Sequence, residues 1–242
     1  MIMLSMRPYI RCVVAATVAA GLAACSDSST APSGPETRMA VPDGAPSLDL
    51  SAHSWGYRTA TFTLTALAGT YNVGDGFYTL SVPANAVCTL TSSYGPGTWD
   101  SPCTTLGHNQ SITVTATYGF SASGPVVDFS PQLRFSPSAE VTLSTSLYAP
   151  LLAAAHGYFA QHPSALNFFG MYYVPSLGAK IVTDAGSDPS LVTHVNLTTG
   201  LVWRRIKHFS GYSVATGLAC DPSPDNPDCV EVAPVVEQGQ QP

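Results

Sequence analysis

The sequence predicts an all-β protein, an antiparallel β-sandwich of about ten short strands with one short helix, preceded by a signal peptide and a disordered tether. Three observations lead there. Short runs in which polar and apolar residues alternate recur along the chain, 20 Gly and 20 Pro punctuate them, and 45% hydrophobic against 10% charged residues supply a core. Period-two alternation turns one face of a strand inward, and frequent Gly and Pro cut the chain into short elements.

The first element is a leader over residues 1–24. Arg7 and Arg11 precede the apolar run Cys12-Val13-Val14-Ala15-Ala16-Thr17-Val18-Ala19-Ala20-Gly21-Leu22, and Leu22-Ala23-Ala24-Cys25 closes it. Charged start, apolar middle and small-residue exit stand in the order of an export signal, and the run is too short for a span of about 20 residues. Leu22 to Cys25 resembles the lipobox of bacterial lipoproteins, which implies palmitate-type lipid on Cys25, attachment to a membrane through that lipid, and a place in the bacterial cell envelope. Ser26 rather than Asp after the cysteine implies, by the same resemblance, the outer membrane. Two of the nine basic residues lie in the leader, so seven basic against fifteen acidic side chains remain, a net charge of about −8. Nucleic acid is excluded as a partner, since no basic patch exists to neutralise phosphates.

Residues 25–56 carry the lipidated cysteine and a linker. From Ser26 to about Leu48 the chain is poor in large apolar residues and rich in Ser, Pro and Gly, the composition of a flexible tether. Strands are predicted over 58–65, 77–82, 112–118, 126–129, 133–135, 140–144, 168–174, 179–183, 194–197, 201–206 and 212–215. Pro83 stops the second of these. Leu151-Leu152-Ala153-Ala154-Ala155 favours a helix over 149–161. Residues 218–242 read as a pinned loop and a loose tail.

Beyond the leader and Cys25 the cysteines are Cys88, Cys103, Cys220 and Cys229. An even number in an exported chain favours disulfides. Three connectivities are open; Cys88–Cys103 and Cys220–Cys229 are expected, because each local pair brackets a Pro-containing loop. Zinc is the weaker alternative, neither pair having the short spacing of a zinc knuckle. No metal and no cofactor are expected: His53, His108, His156, His162 and His194 lack metal-ligand spacing, and no nucleotide fingerprint or Gly-x-Ser-x-Gly elbow occurs.

Three segments carry a resemblance. Leu80-Ser81-Val82-Pro83-Ala84-Asn85-Ala86-Val87, Phe129-Ser130-Pro131-Gln132-Leu133-Arg134-Phe135 onward to Leu143, and His208-Phe209-Ser210-Gly211-Tyr212 together resemble the opening, middle and last strand of the ZU-type domain of ankyrins, netrin receptors and zonula occludens proteins, over residues 57–217. The chain also resembles secreted bacterial lipoproteins of unassigned role that carry a loop like Tyr94-Gly95-Pro96-Gly97-Thr98-Trp99-Asp100-Ser101-Pro102-Cys103. The ZU resemblance implies a binding and scaffolding sandwich that turns over no external substrate.

Some members cut their own chain at His-Phe-Ser, and this implies the alternative: cleavage between Phe209 and Ser210. Ser210 would attack the Phe209 carbonyl and His208 would take the serine proton. Adjacency supplies the proximity. The loop with Tyr94, Trp99 and Asp100 is the ligand-binding candidate, two aromatics and a carboxylate on a disulfide-stiffened turn, suited to an envelope protein or polysaccharide; the competing reading of its aromatics is packing.

Overall fold

The computed structural model describes residues 39–40, 55–121, 124–174, 188–215, 219–220 and 235–236. In chain order its main strands are β1 (Trp55–Thr65), β2 (Gly69–Val73), β3 (Tyr78–Val82), β4 (Ser111–Ser121), β5 (Gly124–Ser130), β6 (Thr142–Ser146), β7 (Gly170–Val174), β8 (His194–Asn196), β9 (Leu201–Arg205) and β10 (Gly211–Ala215). One antiparallel sheet has the order β1-β4-β5-β10-β7. The other runs β8-β9-β6-β3-β2, with Val235–Val236 added parallel to β8. Met39–Ala40 pairs separately with Ala219–Cys220.

Alternation builds the core as the sequence predicts. Ile112, Val114, Ala116, Tyr118 and Phe120 of β4 point inward, as do Tyr78, Leu80 and Val82 of β3 and Leu143 of β6, and all join one apolar cluster with residues of both sheets. The intervening Thr and Ser of these strands lie outward, where a hydroxyl keeps its water. Strand β10, paired between β5 and β7, differs: all five of its residues are buried. Gly211 opens it at a crowded point, where a Cβ would stand 2.6 Å from the Val174 carbonyl oxygen.

The helix α1 (Ala149–Gln161) has the bounds the sequence predicts, with Pro150 in its first turn and Leu151, Ala155 and Phe159 buried along one stripe. Several strand bounds shift by one to three residues, most at the start of β1, which begins at Trp55, and at the end of β4, which runs on to Ser121; at β7 a 3₁₀ turn (Pro163–Phe168) occupies the predicted start. Two elements depart from expectation. Gly69–Val73 is a strand that the alternation does not announce, joined to β3 through a Gly74-Asp75-Gly76 turn with positive φ at all three residues. Residues 133–135 form single bridges rather than a strand, Val87 to Phe135 and Arg134 to His208. The predicted strand 179–183 lies outside the described residues.

Those single bridges place the motif that follows β9. Phe135 N–H donates to the Lys207 carbonyl at 2.8 Å, Phe209 N–H to the Leu133 carbonyl at 2.7 Å and Cys88 N–H to the Arg134 carbonyl at 3.1 Å. His208-Phe209-Ser210 is thereby fixed between the end of β9 and the start of β10. The expected bond between Cys88 and Cys103 is present, with Cα atoms 5.8 Å apart and a sequence separation of 15. Closing such a loop contributes about 3 kcal/mol on chain entropy. The Cys220–Cys229 pairing involves Cys229, outside the described residues, as does Cys25.

Candidate functional site

His208, Phe209 and Ser210 are each fully buried. Phe209 anchors the trio: its ring stacks on Phe129 with centroids 4.4 Å apart and meets Phe135 edge-on at 5.0 Å. Truncating such a ring costs about 3–5 kcal/mol. A Phe209→Ala chain is therefore expected to unfold at clearly lower urea than the parent, and an unchanged midpoint would contradict this packing.

The polar groups around Phe209 converge on its carbonyl. Ser210 Oγ and His208 Nδ1 are 3.0 Å apart. The Tyr94 hydroxyl donates to the Phe209 carbonyl oxygen at 2.6 Å and stands 3.3 Å from His208 Nδ1. It also interacts with the Ser210 hydroxyl. Tyr212 donates to the His208 carbonyl at 2.8 Å, which holds the peptide upstream of Phe209. One donor thus points at the carbonyl oxygen, a hydroxyl lies next in the chain, and a nitrogen base contacts that hydroxyl.

The imidazole is walled by rings. Trp99 stacks on it with centroids 3.7 Å apart and an 18° interplanar angle, and Tyr173 and Tyr94 meet it edge-on at 4.9 and 6.0 Å. Burial lowers its pKa to about 3, and the Arg204 and Lys207 cations push in the same direction. His208 is accordingly a neutral imidazole at neutral pH. Nδ1 faces the serine, and Nε2 is buried without a hydrogen-bond partner among the described residues; the tautomer with its proton on Nε2 leaves Nδ1 able to accept from Ser210 Oγ. Burial also raises the Tyr94 hydroxyl above the ordinary tyrosine range, so it stays a protonated donor.

Tyr94 and Trp99 reach the site from the loop between the bridged cysteines. Arg134, itself buried, fastens that loop from beneath: it donates to the Ser93 carbonyl at 2.7 Å, to the Pro102 carbonyl at 3.0 Å and to the Ser101 carbonyl. Asp100 adds a clasp by pairing with Lys207, whose ammonium also contacts Asp188 at 2.5 Å. Burial alone would raise the Asp188 carboxyl, but hydrogen bonds from Lys207 and Ser190 outweigh it and bring its pKa to about 2. The two carboxylates likewise overcome desolvation and raise the Lys207 ammonium.

The aromatics of the loop therefore face inward. Trp99 is only 9% exposed, while Asp100 remains largely in solvent. His208 and Ser210 occupy one site, as the motif implies, and Tyr94 and Trp99 join them there, whereas Asp100 lies outside it on Lys207. Arg134 and Lys207 are the residues that sequence reasoning missed. No family model, curated protein or solved structure matches the chain.

Proposed function

We propose that this chain is a self-cleaving β-sandwich module, held at the bacterial envelope by lipid on Cys25, which cuts its own backbone between Phe209 and Ser210. One juxtaposition supports the reading: Ser210 Oγ lies 3.0 Å from a neutral His208 Nδ1 while Tyr94 donates to the carbonyl that the serine would attack. Packing alone needs a partner for each buried polar atom, but it does not require a base on the serine and a donor on the adjacent carbonyl.

The chemistry runs in two steps. Ser210 Oγ adds to the Phe209 carbonyl carbon and gives its proton to His208 Nδ1; the oxyanion gathers charge against the Tyr94 hydroxyl. The carbon–nitrogen bond then breaks, the Ser210 nitrogen takes the proton from His208, and Phe209 is left as an ester on Oγ. The low proton affinity of His208 favours passing that proton on at once to the departing nitrogen. Water then hydrolyses the ester, leaving a Phe209 carboxylate and a free Ser210 amine.

Cleavage at this bond does not separate the pieces. The downstream piece contains β10, paired on both edges, and the upstream piece keeps Phe209 in the core. The test is intact mass and end-group analysis of the full chain with and without denaturant. A 33-residue fragment starting at Ser210, released only on denaturation and produced faster in hydroxylamine, which attacks esters, is the expected result. A single uncut chain in a folded sample would overturn the reading and return His208-Phe209-Ser210 to the role of packing in a binding or structural module.

A further inference from the structure

We infer that the Cys88–Cys103 bond is the switch for self-cleavage, so that the chain stays whole while its thiols are reduced and cuts itself once they are oxidised. The inference rests on the self-cleavage reading and adds its regulation. Residues 89–102 contribute two groups to the site: the Tyr94 hydroxyl on the Phe209 carbonyl oxygen and the Trp99 ring on the imidazole. This loop holds one 3₁₀ turn, Pro96–Thr98, and no strand.

The loop is tied at its two ends and at points between. The bridge joins Cys88 to Cys103, and the Thr89 N–H bonds the Thr104 carbonyl at 2.9 Å. Arg134 reaches the Ser93, Ser101 and Pro102 carbonyls, and among the described residues Asp100 on Lys207 adds a side-chain ion pair. A carboxylate as exposed as Asp100 contributes little to holding a loop down. The disulfide is the covalent restraint on the distance between the loop ends, beside the Thr89–Thr104 and Val87–Leu106 backbone bonds, and restricting that distance raises the fraction of molecules with Tyr94 and Trp99 in place.

Chain entropy for a loop of this length corresponds to a change of about a hundredfold in the closed fraction, and the rate of a step that needs the closed form falls with that fraction. Oxidation removes two protons and two electrons from Cys88 and Cys103 and passes them to a disulfide oxidant, which leaves as a dithiol. Such oxidants act outside the cytoplasm. Cutting is thus timed after export.

The experiment uses the full chain made by cell-free synthesis in dithiothreitol, then moved into oxidised glutathione, with the 33-residue fragment followed by mass. Near-ultraviolet circular dichroism reports packing in each sample, and rates are taken well below the unfolding midpoint. The oxidised parent is expected to cut about a hundredfold faster than the reduced parent. A Cys220→Ala/Cys229→Ala chain is expected to behave as the parent, whereas a Cys88→Ala/Cys103→Ala chain stays slow in both buffers with its packing signal intact.

A folded Cys88→Ala/Cys103→Ala chain that cuts at the parent's oxidised rate would overturn the switch and leave self-cleavage standing. Loss of the packing signal in that variant would also overturn it, placing the bridge in the fold as a whole. An oxidised, folded parent that never cuts would instead remove the self-cleavage reading itself.

Discussion

A Ser210→Ala chain is expected to remain whole indefinitely, and a Tyr94→Phe chain to cut about 10²–10³ times more slowly than the parent. The two variants separate nucleophile from electrostatic support. Alanine removes the only atom that can form the ester, so no slower version of the same route survives. It also removes a buried hydroxyl bonded to His208, at a stability cost of about 1 kcal/mol, so the fold persists and the comparison is fair. Phenylalanine keeps the Tyr94 ring against His208 and deletes the donor to the Phe209 carbonyl oxygen. Removing one such donor costs about 10²–10³ in rate, because charge develops on that oxygen in a site closed to water. Time courses of the 33-residue fragment measure both. If Tyr94→Phe cuts at the parent rate, the phenol is a packing group and the oxyanion is stabilised elsewhere; if Ser210→Ala still yields a fragment at that bond, another nucleophile acts.

The sandwich is legible in the sequence because its signals are local. Strand β4 alternates over its whole length, and α1 carries a run of Leu and Ala that no strand would choose, so period and propensity suffice. The segment 133–135 reads as a strand and is not one for a physical reason: Leu133 and Phe135 alternate around Arg134, but Arg134 turns its side chain under the 89–102 loop instead of to solvent. Gly69–Val73 escapes notice because Thr70 and Asn72 flank a single aromatic, a pattern as common in turns as on a sheet edge.

At the site the motif His208-Phe209-Ser210 is visible as three letters. Its support is not, since Tyr94 and Phe209 are separated by 115 residues. Composition marks the Tyr94 to Asp100 loop as rigid and aromatic, which holds for a ligand shelf and for a lid equally. Only the fold tells which way Tyr94 and Trp99 point.

Stability is expected to fall steeply as pH drops from about 6.5 toward 3, and His208 is the principal cause. Burial, then the Arg204 and Lys207 cations, hold its folded-state pKa at about 3, whereas in the unfolded chain it titrates near 6.5. Above 6.5 both states carry a neutral imidazole and stability is full. Between 6.5 and 3 the unfolded chain binds a proton that the folded chain refuses, so acid favours unfolding, and below 3 this group adds nothing further. At about 1.4 kcal/mol for each pH unit between the unfolded and folded titrations, the loss is on the order of 5 kcal/mol, a large part of the roughly 5–15 kcal/mol that holds a domain folded. Asp188 adds a smaller loss between about 4 and 2, as protonation breaks its contact with Lys207. Asp128 opposes both weakly, since burial raises its carboxyl and the folded state takes up that proton first. Urea unfolding of the full chain at pH 7, 5 and 4, on a Ser210→Ala background so that one intact chain is compared throughout, measures the slope. A His208→Asn change on that background is expected to lower stability at pH 7 but to flatten its decline toward pH 4. Equal stability at pH 7 and 4 in the histidine-bearing chain would mean that the imidazole accepts its proton in place, and that it is neither as dry nor as neutral as Trp99, Tyr173 and the two cations make it.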